Sequence, residues 1–321
     1  MMKQLQVEFN SDVELKGTLA LPSTGGEKFS AILILPGSGS INRDGNAVKG
    51  KFQFNVYKEL AEYFTSLGFA TLRYDKRGVG ESGGDPLRAG LWDAAADAEA
   101  AVNFLASHPH VDPDRIIVAG HSEGCIVGTA LNEKRAVNGL IFLSGGGGGI
   151  REQLEFQREQ LYKEMKEAKG LKGFVFRTLR VPEKNEKKAQ KLFGKMASTK
   201  KEVIKAAVFV KMPAKYFREH FEYNIAEGLK KITCPVLALN GSKDFQANPE
   251  LLQRITYYAK GKTTCLVVEN MDHGLKEQLN SISVLNFKKD YLQSIGKPIH
   301  PKAKDHMAQW LKEWTEGEIT A

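Results

Sequence analysis

The residues best typed and spaced for covalent chemistry are Ser122, Asp244 and His273. Ser122 lies in Gly120-His121-Ser122-Glu123-Gly124, a G-x-S-x-G pentapeptide. A serine hydroxyl attacks a carbonyl at neutral pH only when a base takes its proton and an acid orients that base. The flanking residues supply a fitting context. Residues 115–119 form a β-branched apolar run that predicts a buried strand, and 125–132 predict a short buried helix. Strand, sharp turn and helix put the serine at a strained apex, its hydroxyl at a helix N-terminus. Gly120 and Gly124 flank it where side chains would collide. An ordinary helix N-cap serine is the plain structural alternative.

The base and acid are sought beyond the carboxyl ends of strands, where parallel sheets place their active groups. The strand expected over 236–240 runs into Gly241-Ser242-Lys243-Asp244, making Asp244 the candidate acid. The strand expected over 264–268 runs into Glu269-Asn270-Met271-Asp272-His273-Gly274, making His273 the candidate base. Asp272 is the rival acid. Adjacent to His273, it is poorly placed to reach the far side of the imidazole and is expected to shape the loop. His300 and His306 lie beyond that loop.

These residues need a sheet to hold them. Residues 4–9 and 16–21 predict an opening hairpin, and 31–35, 69–74, 116–119 and 140–143 predict strands. Helices are expected over 54–67 and 91–106. The alternation implies an α/β fold, a mostly parallel central sheet with helices on both faces. The rhythm stops at the glycine run 145–149, read as a hinge or a permissive loop. Residues 150–230 read as helical, Lys-rich and free of strands, an inserted helical cap between two core segments, 1–149 and 231–321. Its apolar residues Phe174, Val175, Phe176, Leu179, Leu192, Phe193, Val208, Phe209, Phe217 and Phe221 are expected to pack onto the core, some facing an acyl pocket. The rhythm resumes with a strand over 235–240, a helix over 249–259, a strand over 264–268 and a closing helix over 304–316.

In this order, Ser122, Asp244 and His273 make the chain resemble the α/β-hydrolase superfamily, and within it the serine esterase and aminopeptidase-like group. Leu35-Pro36-Gly37-Ser38-Gly39-Ser40 matches the loop after the third strand, with Pro36-Gly37 where many members have His-Gly. Asp75-Lys76-Arg77-Gly78-Val79-Gly80-Glu81-Ser82 matches the D-x-R-G-x-G-x-S turn. The resemblance implies an oxyanion hole from the backbone N–H groups of Ser38 and Glu123, with Gly37 and Gly39 letting the loop approach the substrate. Asp75 and Arg77 are expected to stabilise their turn. Arg43-Asp44-Gly45-Asn46 is expected to form a polar turn near the pocket mouth.

Other chemistries fit less well. Gly78-Val79-Gly80-Glu81-Ser82-Gly83 is a literal G-x-G-x-x-G, but Asp75-Lys76-Arg77 separate it from its strand and no helix opens at its third glycine, so no dinucleotide is expected. His108 and His110 lack a third ligand at suitable spacing, so no metal is expected. Cys125, Cys234 and Cys265 have no C-x-x-C spacing and read as buried free thiols. Residues 151–230 hold 20 Lys and Arg against 11 Asp and Glu, whereas the chain's net charge is +8. The excess reads as a solvated helical face, allowing weak association with an anionic lipid surface. No nucleic-acid motif accompanies it. No apolar run suits a membrane span, and the first residues alternate like a strand rather than a signal peptide, so a cytoplasmic protein is expected.

The residues and the resemblance together imply a serine hydrolase that cleaves carboxylic esters, needs no cofactor and takes a small-molecule ester with a short-to-medium acyl group. A thioesterase, acyltransferase, lysophospholipase or aminopeptidase would use the same three residues. A non-catalytic binding protein on this fold would be expected to lack one. Oligomeric state is not encoded in any of these features.

Overall fold

Continuous apolar runs become strands buried on both faces. The computed structural model describes residues 2–23, 26–50, 52–207, 210–280 and 282–319. The strands are β1 (Lys3–Asn10), β2 (Glu14–Leu21), β3 (Phe29–Leu35), β4 (Ala70–Tyr74) and β5 (Val111–His121). They continue with β6 (Gly139–Leu143), β7 (Val203–Ala207), β8 (Val210–Pro213), β9 (Val236–Gly241) and β10 (Thr263–Val268). Eight form one sheet in the order β1-β2-β4-β3-β5-β6-β9-β10. β2 pairs antiparallel with β1 and β4, and every later pair is parallel.

Successive side chains on a strand point to opposite faces, and the core divides accordingly. Leu33, Val118, Phe142 and Ala238 face one hydrophobic cluster; Ile34, Ile117, Ile141 and Leu237 face the other. Helices α2 (Leu91–Ser107) and α3 (Glu123–Lys134) cover the first face, and α1 (Val56–Ser66) the second. Each Leu, Ile or Val so buried contributes about 1.5–3 kcal/mol.

Between β6 and β9 run α4 (Ile150–Glu167), α5 (Gly170–Thr178), α6 (Val181–Ser198), β7, β8, α7 (Ala214–Glu222) and α8 (Ile225–Leu229). The expectation of a strand-free segment is corrected by β7 and β8, an antiparallel ribbon in which Ile204 faces Met212. Short length hid it: two strands of five and four residues carry little periodicity, yet Ile204 is buried with Met196 and Ala214. Phe217, Phe193 and Leu192 pack on that small cluster. Phe174, Val175 and Leu179, expected to pack inward, are exposed instead. Val208 and Phe209 lie outside the described residues. α8 joins the main core through Ile225 and Leu229.

The chain closes with the 3-10 turn Pro249–Leu252, α9 (Gln253–Tyr258), α10 (Phe287–Ser294) and α11 (Pro301–Thr315), which lays Ala303, Met307, Trp310 and Trp314 on the second face. The glycine run is not a surface loop. Gly145 to Gly148 are buried, and a Cβ on Gly147 would stand 2.0 Å from the Leu251 carbonyl oxygen. Glycine is needed there because two backbones touch. Among the described residues no helix is long and apolar enough to cross a membrane.

Candidate active site

β5 ends at His121 and α3 begins at Glu123, leaving Ser122 alone at the turn between them with φ 56° and ψ −118°. The strain is sustained by close packing. A Cβ on Gly120 would lie 2.3 Å from the Gly124 carbonyl oxygen, and one on Gly124 the same distance from that of Leu35. The Ser122 amide donates to the Leu143 carbonyl at 2.9 Å, tying the turn to β6.

The loops after β9 and β10 bring the other two residues in. Ser122 Oγ lies 3.0 Å from His273 Nε2, and His273 Nδ1 lies 2.8 Å from Asp244 Oδ2. The second carboxylate oxygen, Oδ1, accepts the amides of Gln246 and Ala247 at 2.8 and 2.9 Å, so Asp244 is anchored as a hydrogen-bond acceptor. All three side chains belong to a hydrogen-bonded chain that crosses three loops. Burial disfavours charge on His273, but the Asp244 charge and hydrogen bond outweigh it and raise the imidazole above its ordinary value. Asp272 accepts from the Lys276 amide at 2.8 Å and from Ser294 Oγ at 3.1 Å, which closes the His273 loop on itself. His300 lies outside this chain; its backbone amide donates to the Leu275 carbonyl at the start of α11.

The loop after β3 meets this chain through buried polar groups. The Gly37 amide donates to Tyr57 Oη at 2.7 Å, Tyr57 Oη lies 3.0 Å from His121 Nδ1, and His121 Nε2 donates to the His273 carbonyl at 2.8 Å. That carbonyl can only accept, so Nε2 carries the proton and Nδ1 accepts from the tyrosine. Burial and the neighbouring His273 push the His121 pKa down to about 4, keeping the ring neutral. On the other side, Lys76 Nζ donates to the Gly37 carbonyl at 2.6 Å. In a trans peptide the next amide points the opposite way, so this bond sets the direction of the Ser38 N–H. Gly39 follows with φ 86°.

A cavity of about 490 Å³ opens beside Ser122 and Glu123, walled by Ile126, Ile150, Leu154, Met212 and Phe217 among others. A smaller one of about 140 Å³ lies on the His273 side, bounded by Ile41, Phe54 and Tyr291. Ser38, Ser122 and Gln246 line both. The Glu123 carboxylate is buried in the wall of the larger cavity. Burial opposes its ionisation, but Lys76 at 3.8 Å, His220 at 3.3 Å and a Tyr216 hydrogen bond hold its pKa below the usual value.

The structure brings Ser122, Asp244 and His273 together, and around them stand Tyr57, His121, Lys76, Tyr216 and His220, to which sequence reasoning assigned no role. His121 and Lys76 stood inside motifs already singled out. Tyr57 and His220 sit on helices with no local signal beyond amphipathicity. Asp75 accepts from the Arg43 amide at 2.7 Å and the Glu81 amide at 3.0 Å, and Arg77 pairs with Asp97 at 2.6 Å. Arg43 thus joins that turn, while Asp44 accepts from Arg73 Nε at 2.8 Å. Cys125 and Cys234 are buried free thiols, and Cys265 is half-buried. Among the described residues no group of three or more His, Cys, Asp or Glu side chains is arranged to hold a metal ion.

Comparison with known proteins bears on the family and the fold. The esterase EstD of Thermotoga maritima is 27% identical over 232 residues, 72% of this chain and 50% of that protein, so the chain spans half the length of this relative. Among solved structures, Est1E from Butyrivibrio proteoclasticus, bound to ferulic acid, matches with a TM-score of 0.57 at 20% identity, covering 91% of this chain and all of that one. A Pyrococcus furiosus esterase matches with a TM-score of 0.57 at 16% identity, covering 98% and 92%. At such identities these two likenesses speak to the fold. The family model described as serine aminopeptidase, S33, matches residues 53–277. With most of its length so matched and an eight-stranded sheet of this topology, the chain belongs to the serine aminopeptidase S33 family of α/β-hydrolases.

Proposed function

We propose that the protein is a serine hydrolase that cleaves carboxylic esters through an acyl-enzyme on Ser122. The observation that carries this reading is the hydrogen-bonded chain from Ser122 Oγ through His273 to Asp244, standing at the mouth of an apolar cavity. His273 takes the serine proton as Oγ bonds to the acyl carbon, then returns it to the departing alkoxide. Water, deprotonated by His273, attacks the acyl-enzyme and frees the acid and Ser122. Asp244 stays ionised and stabilises the imidazolium. The oxyanion rests on the Glu123 amide at the start of α3 and on the Ser38 amide. No cofactor enters these steps.

The leaving oxygen must lie against His273, so the alcohol is assigned to the 140 Å³ recess and the acyl group to the 490 Å³ cavity. That cavity accommodates short-to-medium apolar acyl chains. Residues 150–230 act as its cap, because α4, β8 and α7 supply Leu154, Met212 and Phe217 to its wall. An aminopeptidase would need a free carboxylate for the substrate's ammonium group. Among the described residues the acidic side chains on the large cavity are Glu123 and Asp97, both paired with cations. This favours an ester over an aminoacyl amide.

The test is fluorophosphonate labelling of wild type and Ser122→Ala with mass mapping of the adduct, followed by turnover of aryl esters of rising acyl length, thioesters and aminoacyl amides. Labelling at Ser122 that vanishes in the variant, with esters turned over best, is expected. An unlabelled wild type would overturn the reading in favour of a binding protein. Faster turnover of aminoacyl amides would overturn the ester assignment alone.

A further inference from the structure

α5 turns its apolar residues to solvent. Leu171, Phe174, Val175 and Leu179 are 79, 61, 39 and 53% exposed. Their spacing of three, one and four places them on one stripe of the helix, while Gly173 is buried on the opposite side. An apolar stripe normally faces a core; here none of the described residues covers it. Its neighbours in sequence carry a surplus of positive charge. Residues 166–200 contain eleven Lys and Arg against three Asp and Glu, a surplus of eight, equal to the whole chain's net charge of +8. The rest of the chain is therefore balanced. Among the described residues none of the lysines in this stretch forms a salt bridge. Lys184, Lys187, Lys188, Lys191 and Lys195 lie exposed along α6, the helix that follows directly. Arg177 bonds the Lys166 and Ala168 carbonyls and so fixes α5 to the end of α4, whose first turns wall the large cavity.

We propose that this face of α5, with the lysines of α6, docks the protein on an anionic lipid surface. An apolar stripe enters the headgroup boundary while cations around it meet lipid phosphates. Charge complementarity selects the lipid over a second copy of the chain, because two such faces would bring their lysines together. Docking presents the cap side of the cavity to the membrane, from which apolar esters partition. It does not depend on the chemistry at Ser122, so Ser122→Ala is expected to dock as the wild type does.

The experiment is co-sedimentation of the full chain with phosphatidylcholine vesicles, with and without phosphatidylglycerol, at low and high salt. Preferential binding to the anionic vesicles is expected, weakened by salt. The variant L171E/F174E should bind them at least ten-fold more weakly while hydrolysing a water-soluble aryl ester unchanged, which shows that it is folded. K184E/K187E/K188E, with the stripe intact, should lose the preference for anionic lipid, since each basic residue near such a surface contributes about five-fold. Equal binding to neutral vesicles, or L171E/F174E binding like wild type, would overturn the proposal. So would light scattering that finds a dimer dispersed by L171E/F174E, which would make the occupant a second copy.

Discussion

Asp244→Asn separates the two acids beside His273. The substitution keeps the shape and replaces a charge by a dipole. The carboxylate stands 2.8 Å from His273 Nδ1. Two unit charges about 4 Å apart interact by about 4 kcal/mol at an effective dielectric of about 20. The imidazolium exists in the transition state and not in the resting enzyme, so this stabilisation is differential. At about 1.4 kcal/mol per decade it corresponds to a loss of about a thousandfold in kcat. Presenting the amide group to Nδ1 would add to the loss by favouring the wrong tautomer. Asp272→Asn is the control. Asp272 bonds the Lys276 amide and Ser294, and an asparagine oxygen still accepts from that amide. Its kcat should fall less than about ten-fold, since it lies outside the Ser122–His273–Asp244 chain. The assay is steady-state turnover of an aryl ester at saturating substrate, with circular dichroism to establish folding. An Asp244→Asn variant retaining a tenth of wild-type kcat would refute the electrostatic argument, and a thousandfold loss in Asp272→Asn alone would transfer the role.

In the proposed mechanism neutral His273 is the base, and burial, outweighed by Asp244, leaves its pKa above the ordinary 6.5; kcat/KM should therefore be full at higher pH and fall as pH drops through a midpoint above 6.5. A pH–rate profile with its midpoint at or below 6.5 would contradict this. Lys76→Met removes the donor to the Gly37 carbonyl and a counter-charge of Glu123; kcat should drop by about ten- to a hundredfold with KM little changed, less than the loss of an oxyanion donor itself. A KM effect alone would instead mark Lys76 as a substrate contact. Gly147→Ala places a methyl 2.0 Å from the Leu251 carbonyl oxygen; urea unfolding should show a loss of at least about 2 kcal/mol, and an unchanged midpoint would mean the two backbones separate freely.

The inner strands of the sheet were legible because they are buried on both faces and therefore read as continuous apolar runs, as at 31–35 and 140–143. Ser122 and Asp244 were legible because each follows such a run, and His273 because it follows the half-buried apolar strand β10. β7 and β8 were not: strands of five and four residues carry little periodicity, and their burial rests on Ile204 meeting Met196 and Ala214 of the flanking helices. Burial of the glycine run was invisible because what it touches, Leu251, lies about a hundred residues on. The outward stripe of α5 reverses the rule that apolar helical positions face a core. Periodicity shows that a stripe exists and carries no information on what covers it.

Glu123 brings these levels together. In the proposed mechanism the residue after Ser122 presents its amide toward the substrate; its side chain lies in the cavity wall, and an anion there is costly unless paired. Lys76 pairs with it from the turn after β4, and Tyr216 and His220 reach it from α7. His220 Nδ1 bonds the Tyr216 carbonyl at 2.8 Å, so the ring turns Nε2 toward Glu123. One carboxylate thus ties the serine turn, the lysine that orients the Ser38 peptide and a helix of the inserted segment. Displacing α7 would leave a buried carboxylate short of partners, and that cost holds α7 against the serine turn.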